Sequence, residues 1–107
     1  MDTIIQKDCG MKYKYEWDEN KRITNMAKHG LDFNVAGYVL EDKRSKTIID
    51  VKHSTESETR MMTIGLYKNT MCVIIIHTTR DDKIRIISFR HANKKEEAQL
   101  WQSLVTL

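Results

Sequence analysis

The sequence predicts an α+β fold in which helices pack on a largely antiparallel sheet. Two changes of hydrophobic period indicate it. Apolar residues recur every three or four positions over residues 19–40 and again over 94–105, which is typical of helices, and every second position over 46–90, which is typical of strands. The predicted element order is β-α-α-β-β-β-β-α. The length of 107 residues predicts a single domain over 1–107, with 1–12 as a variable leader.

The N-terminal third predicts a short strand and two short helices. After a strand at Lys14–Trp17, Asp18 is suited to cap a helix from Glu19 to about His29, and Gly30 to end it. Asp32 is suited to cap the second helix. The expected apolar faces are Ile23, Met26 and Ala27 on the first helix, and Phe33, Ala36 and Leu40 on the second, which runs from Phe33 to about Leu40.

Four strands and a last helix are predicted to follow. Asn93 and Glu96 have the spacing of a capping box for a helix over Lys94–Val105. The expected apolar side of this helix is Ala98, Trp101 and Val105, joined by Leu100 and Leu104. The strands are Lys46–Val51, Arg60–Tyr67, Met71–Thr79 and Lys83–Arg90, of which Met71–Thr79 is the most apolar and therefore the expected centre of the sheet.

Composition and apolar run length indicate which kinds of partner and which cellular compartment to expect. A net charge of +3 permits a nucleic-acid partner without requiring one. The longest apolar run, Met71–Ile76, is far shorter than a membrane span, and no secretory signal is visible, so we expect a cytoplasmic protein without a membrane partner. Cys9 and Cys72 are then expected to be free thiols, with Cys72 in the core.

Motifs for bound cofactors are missing from the sequence. It contains no Walker loop, no GxGxxG and no HExxH, and its His and Cys residues do not recur at metal-ligand spacing. We therefore expect neither a cofactor nor a metal. What remains for chemistry is a set of cations and histidines and one serine.

The pair Lys28-His29 ends the first predicted helix. Cations there interact favourably with the helix dipole, which gives a purely structural explanation. The functional alternative is a Lys/His pair at a turn that binds phosphate or transfers a proton.

The last predicted strand carries a second group of cations. Strict alternation places Arg85, Ile87 and Phe89 on one face, and Ile84, Ile86, Ser88 and Arg90 on the other. A guanidinium at the strand end can bind phosphate through two nitrogens. The structural alternative is that Arg85 and Arg90 pair with acidic residues across strands.

Three further residues have plain structural explanations. Arg60, close to Glu56 and Glu58, can form a surface ion pair of little energetic value. His77 fits a hydrogen-bonded position within the sheet, and Trp17 fits the core, with base stacking as a secondary possibility.

Several motifs, taken in order, resemble the BrnT family of toxins. The resemblance extends from about Tyr13 to Glu97. Its motifs are Tyr15-Glu-Trp-Asp with Lys21, Asn25 and Lys28-His29-Gly30-Leu-Asp-Phe33, then Arg60-Met-Met-Thr-Ile-Gly65, His77-Thr-Thr-Arg80, Ile84-Arg-Ile-Ile-Ser-Phe-Arg90-x-Ala92 and Asn93-Lys-Lys-Glu96.

This resemblance implies a RelE-like fold and a metal-independent endoribonuclease toxin of a type II toxin–antitoxin system, which inhibits translation by cleaving RNA. The implied partners are RNA and a BrnA-like ribbon-helix-helix antitoxin in a 2:2 complex, which binds operator DNA. The implied catalytic residues are Lys28, His29, Arg60, Ser88 and Arg90, and the implied RNA-binding residues are Lys21, His77, Arg80 and Arg85.

Some positions depart from the family pattern. Phe89 stands where a small residue is common, and Leu100-Trp101 where Tyr and further cations are frequent. A Tyr near the C-terminus is part of the catalytic set in some RelE-like toxins, so the general acid and base stay open among His29, Lys28 and His77. The alternatives to a nuclease are a non-catalytic protein that binds the antitoxin and regulates its operon, and an RNA-binding module without catalysis.

Overall fold

A computed structural model describes residues 3–6 and 11–105, and confirms the α+β class. The strands are β1 (Thr3–Gln6), β2 (Tyr15–Asp18), β3 (Lys46–Ile49), β4 (Arg60–Tyr67), β5 (Met71–Arg80) and β6 (Lys83–His91). The helices are α1 (Glu19–His29), α2 (Ala36–Leu40) and α3 (Lys94–Val105), with 3-10 turns at Phe33–Val35 and Val51–His53.

The strands form a sheet in the order β1-β2-β6-β5-β4-β3. Every neighbouring pair is antiparallel except β2 and β6, which run parallel, so the largely antiparallel sheet is confirmed. β1 was not predicted, because it lies in the expected leader, where no period is visible. Cys9 lies outside the described residues. Asp81 and Asp82, both with positive φ, make the predicted tight turn between β5 and β6.

The main core lies on the sheet face covered by α2 and the turn before it. Trp17 is 3% exposed and meets Phe33 edge to face, which confirms its place in the core. The other fully buried members of this core include Tyr15, Val39, Val73, Ile75, Ile86 and Phe89. A smaller cluster of Leu66, Leu100 and Cys72 lies beneath α3, and its burial raises the pKa of the Cys72 thiol to about 11.

The apolar face expected on α1 is wrong. Ile23 is 55% and Met26 is 44% exposed, while the buried residue of the helix is Asn25. The reason is that α1 contacts the sheet through polar hydrogen bonds from Asn25 to the backbone of β6, not through an apolar stripe. Sequence periodicity does not register such a contact.

The apolar side expected on α3 is only partly right. Leu100 is buried and Leu104 half-buried, but Ala98, Trp101 and Val105 are exposed. The helix packs only against the small cluster at Leu66 and Cys72, so a narrow stripe of residues spaced by four is sufficient to cover it.

A bulge in β6 overturns the predicted alternation of that strand. Ser88 pairs with Ile76 and Ile86 with His77, which leaves Ile87 as an extra residue. Because of this extra residue, Phe89 joins Ile86 in the main core. Arg85, Ser88 and Arg90 therefore share the opposite face. The predicted alternation, which places Arg85 on the other face from Ser88 and Arg90, is wrong.

Candidate active site

The bulge forms the floor of an open cleft on the sheet face opposite the main core. Two cavities of about 350 and 290 Å³ share Ile87 and Ser88 as lining residues, and we call the two together the cleft. One wall is α1, and the other is formed by the Val51–His53 turn, the start of β4 and the end of β6. The polar side chains on the α1 wall are Asp18, Asn20, Lys21, Thr24, Asn25, Lys28 and His29, and those on the other wall are Asp50, His53, Arg60 and Arg90.

Asn25 attaches α1 to β6 just beyond the bulge. Its Nδ2 donates to the carbonyl oxygens of Phe89 (2.8 Å) and Leu31 (3.1 Å), and its Oδ1 accepts from the backbone N–H of Phe89 (3.1 Å). The β2–β6 ladder reaches only to Ile86, so Phe89 has no strand on that side. Asn25 thus satisfies both backbone groups of the residue between Ser88 and Arg90.

Arg90 is held by the first turn of α3. Its Nη1 and Nη2 lie 2.9 and 3.0 Å from the two carboxylate oxygens of Glu96. Glu96 also accepts from the Asn93 backbone N–H and donates its own to the Asn93 side chain, which confirms the predicted capping box. The paired carboxylate raises the pKa of Arg90, and Arg90 lowers that of Glu96. The guanidinium is therefore charged and oriented.

Arg60 begins β4 and is one-third exposed. Its Nε lies 3.0 Å from Glu58 Oε1, and the other carboxylate oxygen of Glu58 lies 3.7 Å from Arg80. The predicted surface ion pair is confirmed, and it occupies only one edge of the Arg60 guanidinium. The remaining N–H groups of Arg60 are on a side chain that lines the cleft.

Lys28 and His29 occupy the last turn of α1, which ends as predicted at Gly30 with φ of 70°. Both line the cleft, with Lys21 two turns earlier on the same wall. The pKa of His29 is lowered, first by burial and then by the positive charges of Lys28 and Arg90. Its imidazole is therefore biased toward the neutral form, which can accept a proton.

The other predicted RNA-binding residues lie away from the cleft. Arg85 is mostly buried and pairs with Glu16 at 3.0 Å, in agreement with the cross-strand ion pair. His77 is buried, with Nε2 2.7 Å from Thr63 Oγ1, and burial lowers its pKa to about 4. Arg80 is exposed beside Glu58. The structure thus unites Lys21, Lys28, His29, Arg60, Ser88 and Arg90 along the cleft. His77 and Arg85 lie outside it, and Arg80 is connected to it only through Glu58, which it shares with Arg60.

Asp50 and His53 form a pair of cleft residues that the sequence reasoning missed. His53 Nδ1 lies 2.9 Å from Asp50 Oδ2, and both side chains line the cavity that contains Arg60 and Arg90. The spacing Asp-x-x-His was the one available signal. The predicted strand Lys46–Val51 ends two residues earlier, at Ile49, so Asp50 had been assigned to a strand and His53 to a loop.

The described residues, 3–6 and 11–105, lack both a metal-binding cluster and a membrane-spanning helix. They contain no group of three or more His, Cys, Asp or Glu side chains placed to bind one metal ion. None of their helices is both long and apolar enough to cross a membrane.

Comparison with known proteins identifies the family. A sequence model described as "Ribonuclease toxin, BrnT, of type II toxin-antitoxin system" matches residues 17–96. The chain belongs to the BrnT family. It is also similar to the 1.1 Å crystal structure of the ribonuclease toxin BrnT of Brucella abortus, with 32% identity and a TM-score of 0.57, over 73% of this chain and 94% of that one. No curated protein sequence gives a significant match.

The BrnT match contains the whole cleft. Its range of residues 17–96 includes both walls and ends at Glu96, the residue that holds Arg90. β1 and most of α3 lie outside this range. Membership of a type II toxin family implies an antitoxin partner.

Proposed function

We propose that this BrnT-family chain is a metal-independent endoribonuclease toxin that cleaves RNA in the cytoplasm and so inhibits translation. The observation that carries the proposal is the grouping of Arg60, Arg90 and Lys28 around Ser88, with His29 biased toward its neutral form. Guanidinium groups bind phosphate oxygens in a directional way, and a neutral imidazole accepts protons.

The proposed reaction is an attack by the RNA 2′-oxygen on its own 3′-phosphate. The 2′-hydroxyl loses its proton to His29, an O2′–P bond forms, and the P–O5′ bond breaks as the leaving 5′-oxygen takes up a proton. Arg60 and Arg90 stabilise the charge that develops on the non-bridging oxygens, and the Ser88 hydroxyl donates to one of them. Removal of one such donor typically slows a reaction by about 10²- to 10³-fold.

The α1 wall extends this site along the RNA. Lys21 and Lys28 lie in the cavity next to that of Arg60 and Arg90, so we assign them to neighbouring phosphates. To Arg80, which is exposed beside Glu58, we assign a weaker contact with RNA. For Arg85 and His77 we propose structural roles, because the first is paired with Glu16 and the second is buried against Thr63.

The deciding experiment measures cleavage of RNA by the purified protein in EDTA, with Arg90→Ala as the matched control. We expect cleavage to persist in EDTA and to yield 2′,3′-cyclic phosphate and 5′-hydroxyl ends. Complete loss in EDTA with recovery on adding Mg²⁺ would contradict the mechanism.

A non-catalytic role in antitoxin binding and operon regulation is the second candidate. It is favoured by the fact that both cleft arginines already have carboxylate partners, Glu58 and Glu96. It predicts that Arg90→Ala leaves the effect of the protein on growth unchanged. For either candidate we propose a ribbon-helix-helix antitoxin, in a 2:2 complex that binds operator DNA.

A further inference from the structure

The cleft contains a second histidine to which the reaction proposed above assigns no role. His53 is the last residue of the 3-10 turn Val51–His53, and its ring lines the same cavity as Arg60, Ser88 and Arg90. Its side chain is 60% exposed, whereas that of Asp50, its hydrogen-bond partner, is 16% exposed. The ring is thus open to a ligand while its partner is held in the protein.

Three hydrogen bonds fix this turn relative to Arg60. The Asp50 backbone N–H donates to the Arg60 carbonyl at 2.8 Å. The Ser54 hydroxyl donates to the Asp50 carbonyl at 2.7 Å and accepts from the Arg60 backbone N–H at 2.9 Å. Because both sides of the turn are attached to the start of β4, His53 and Arg60 keep a defined separation.

The contact with Asp50 also determines which ring nitrogen is available. A carboxylate only accepts hydrogen bonds, so the contact at His53 Nδ1 requires a proton on that nitrogen. Nε2 is then the nitrogen that exchanges a proton with a ligand in the cleft. When Nε2 is also protonated, the ring forms an ion pair with Asp50.

The two cleft histidines occupy opposite walls and unlike surroundings. His29 belongs to the α1 wall, close to Lys28 and Arg90, whose charges oppose its protonation. His53 belongs to the other wall and has a carboxylate partner. Ser88 lies between them, because it lines both cavities. A phosphodiester bound at Ser88 would therefore have an imidazole ring on each side.

We propose that His53, positioned by Asp50, is the general acid that protonates the leaving 5′-oxygen. This inference rests on the proposed RNA cleavage. The 2′-hydroxyl proton goes to His29, the O2′–P bond forms as the P–O5′ bond breaks, and the Nε2 proton of His53 goes to O5′. The products are a 2′,3′-cyclic phosphate and a 5′-hydroxyl, and the two histidines return to their starting states by exchanging protons with water.

The test uses the full-length chain and two RNAs that differ in one atom. Both contain the bond that the wild-type protein cleaves, one with oxygen and one with sulfur at the 5′-bridging position. A thiolate leaves without protonation, so it removes the need for a general acid. We expect His53→Gln to slow cleavage of the oxygen substrate by about 10²- to 10⁴-fold and that of the sulfur substrate by less than about 10-fold.

Two further variants complete the design. Lys52→Ala, in the same turn but outside the cleft, should cleave both substrates as the wild type does. Asp50→Asn should show a smaller loss that is again confined to the oxygen substrate, because it disturbs the orientation of His53 and not the ring itself. Thermal unfolding of each variant confirms that it is folded.

Two results would overturn the assignment while leaving the proposed function intact. One is a His53→Gln variant as active as the wild type on the oxygen substrate, and the other is equal slowing on both substrates. If the wild type cleaves no RNA at all, the proposed function itself fails, and the role of His53 fails with it.

Discussion

The side-chain amide of Asn25 takes the place of a strand at Phe89. It donates to the Phe89 carbonyl and accepts from the Phe89 backbone N–H, the pair of bonds that a neighbouring strand would supply. These residues are 64 positions apart in the chain. Since Ser88 and Arg90 flank Phe89, this contact connects the stability of the fold to the shape of the cleft.

We expect Asn25→Asp to lower the free energy of unfolding by about 2–4 kcal/mol. The carboxylate cannot donate to the carbonyls of Phe89 and Leu31, and it would place buried charge against both of them. RNA cleavage should fall as well, because Ser88 and Arg90 lose their fixed position. Urea denaturation and a cleavage assay on the same preparation measure the two effects.

The matched control for this change is Asn20→Asp on the same helix. Asn20 is exposed in the first turn of α1, where added negative charge interacts favourably with the helix dipole. Its free energy of unfolding should change by less than about 0.5 kcal/mol. Equal stability of the Asn25→Asp and wild-type proteins would show that the amide contact contributes nothing to the free energy of unfolding.

The two cleft arginines should be required for toxicity but not for folding. We expect Arg60→Ala and Arg90→Ala each to abolish growth inhibition with little change in melting temperature, because both ion pairs are partly exposed. Arg90→Lys should restore little of the growth inhibition, because an ammonium cannot bind a phosphate through two nitrogens. Growth inhibition and thermal unfolding are measured together. An Arg90→Ala protein that unfolds, or that stays fully toxic, would refute the site.

Lys43→Ala and Arg85→Ala provide contrasting controls. Lys43 is exposed after α2, so its removal should be silent. Loss of Arg85 leaves the buried carboxylate of Glu16 without its partner, and we expect this to cost about 2–4 kcal/mol of stability. Adding Glu16→Gln to Arg85→Ala should recover part of that loss.

His77 should make the protein less stable in mild acid. Burial lowers its pKa to about 4, whereas in the unfolded chain the pKa is about 6.5. As the pH falls from 6.5 to 4, the unfolded state takes up a proton that the folded state does not. The free energy of unfolding should therefore fall by roughly 2–3 kcal/mol over that range.

Urea denaturation as a function of pH measures this contribution. His77→Gln retains a hydrogen-bonding group for Thr63. It should remove the contribution of His77 to the pH dependence of the free energy of unfolding. The exposed residue His91 supplies the control, because His91→Gln should keep it. A His77→Gln protein with the full wild-type slope would mean that other groups cause the loss.

The antitoxin should neutralise the toxin by covering the cleft. Expressed alone in bacteria, the protein should stop growth, and co-expression of the neighbouring antitoxin gene should restore it. In the complex we expect a buried interface of roughly 1,200–2,000 Å² or more that includes Arg60 and Arg90. Normal growth with soluble toxin present, or a complex with both arginines exposed, would contradict this prediction.

Local chemistry in the sequence determined where most elements begin and end. Asp18 and Gly30 bound α1, and the Asn93–Glu96 box begins α3, because a cap is a hydrogen bond between residues a few positions apart. The change of period likewise placed β4 at Arg60–Tyr67. The BrnT motifs, read in order along the chain, are sufficient to indicate the family without the structure.

Only the tertiary structure decided which side chains meet in the cleft. The bulge at Ile87 reverses the faces of β6, and it arises from the register with β5, which no alternating pattern reveals. The role of Asn25 depends on its hydrogen bonds to the backbone of Phe89, and its position on a mostly exposed helix does not indicate them. His53 lines the cleft only because the segment after β3 is hydrogen-bonded to Arg60. In each case the partner is distant in sequence, so the contact depends on the packing of the whole sheet.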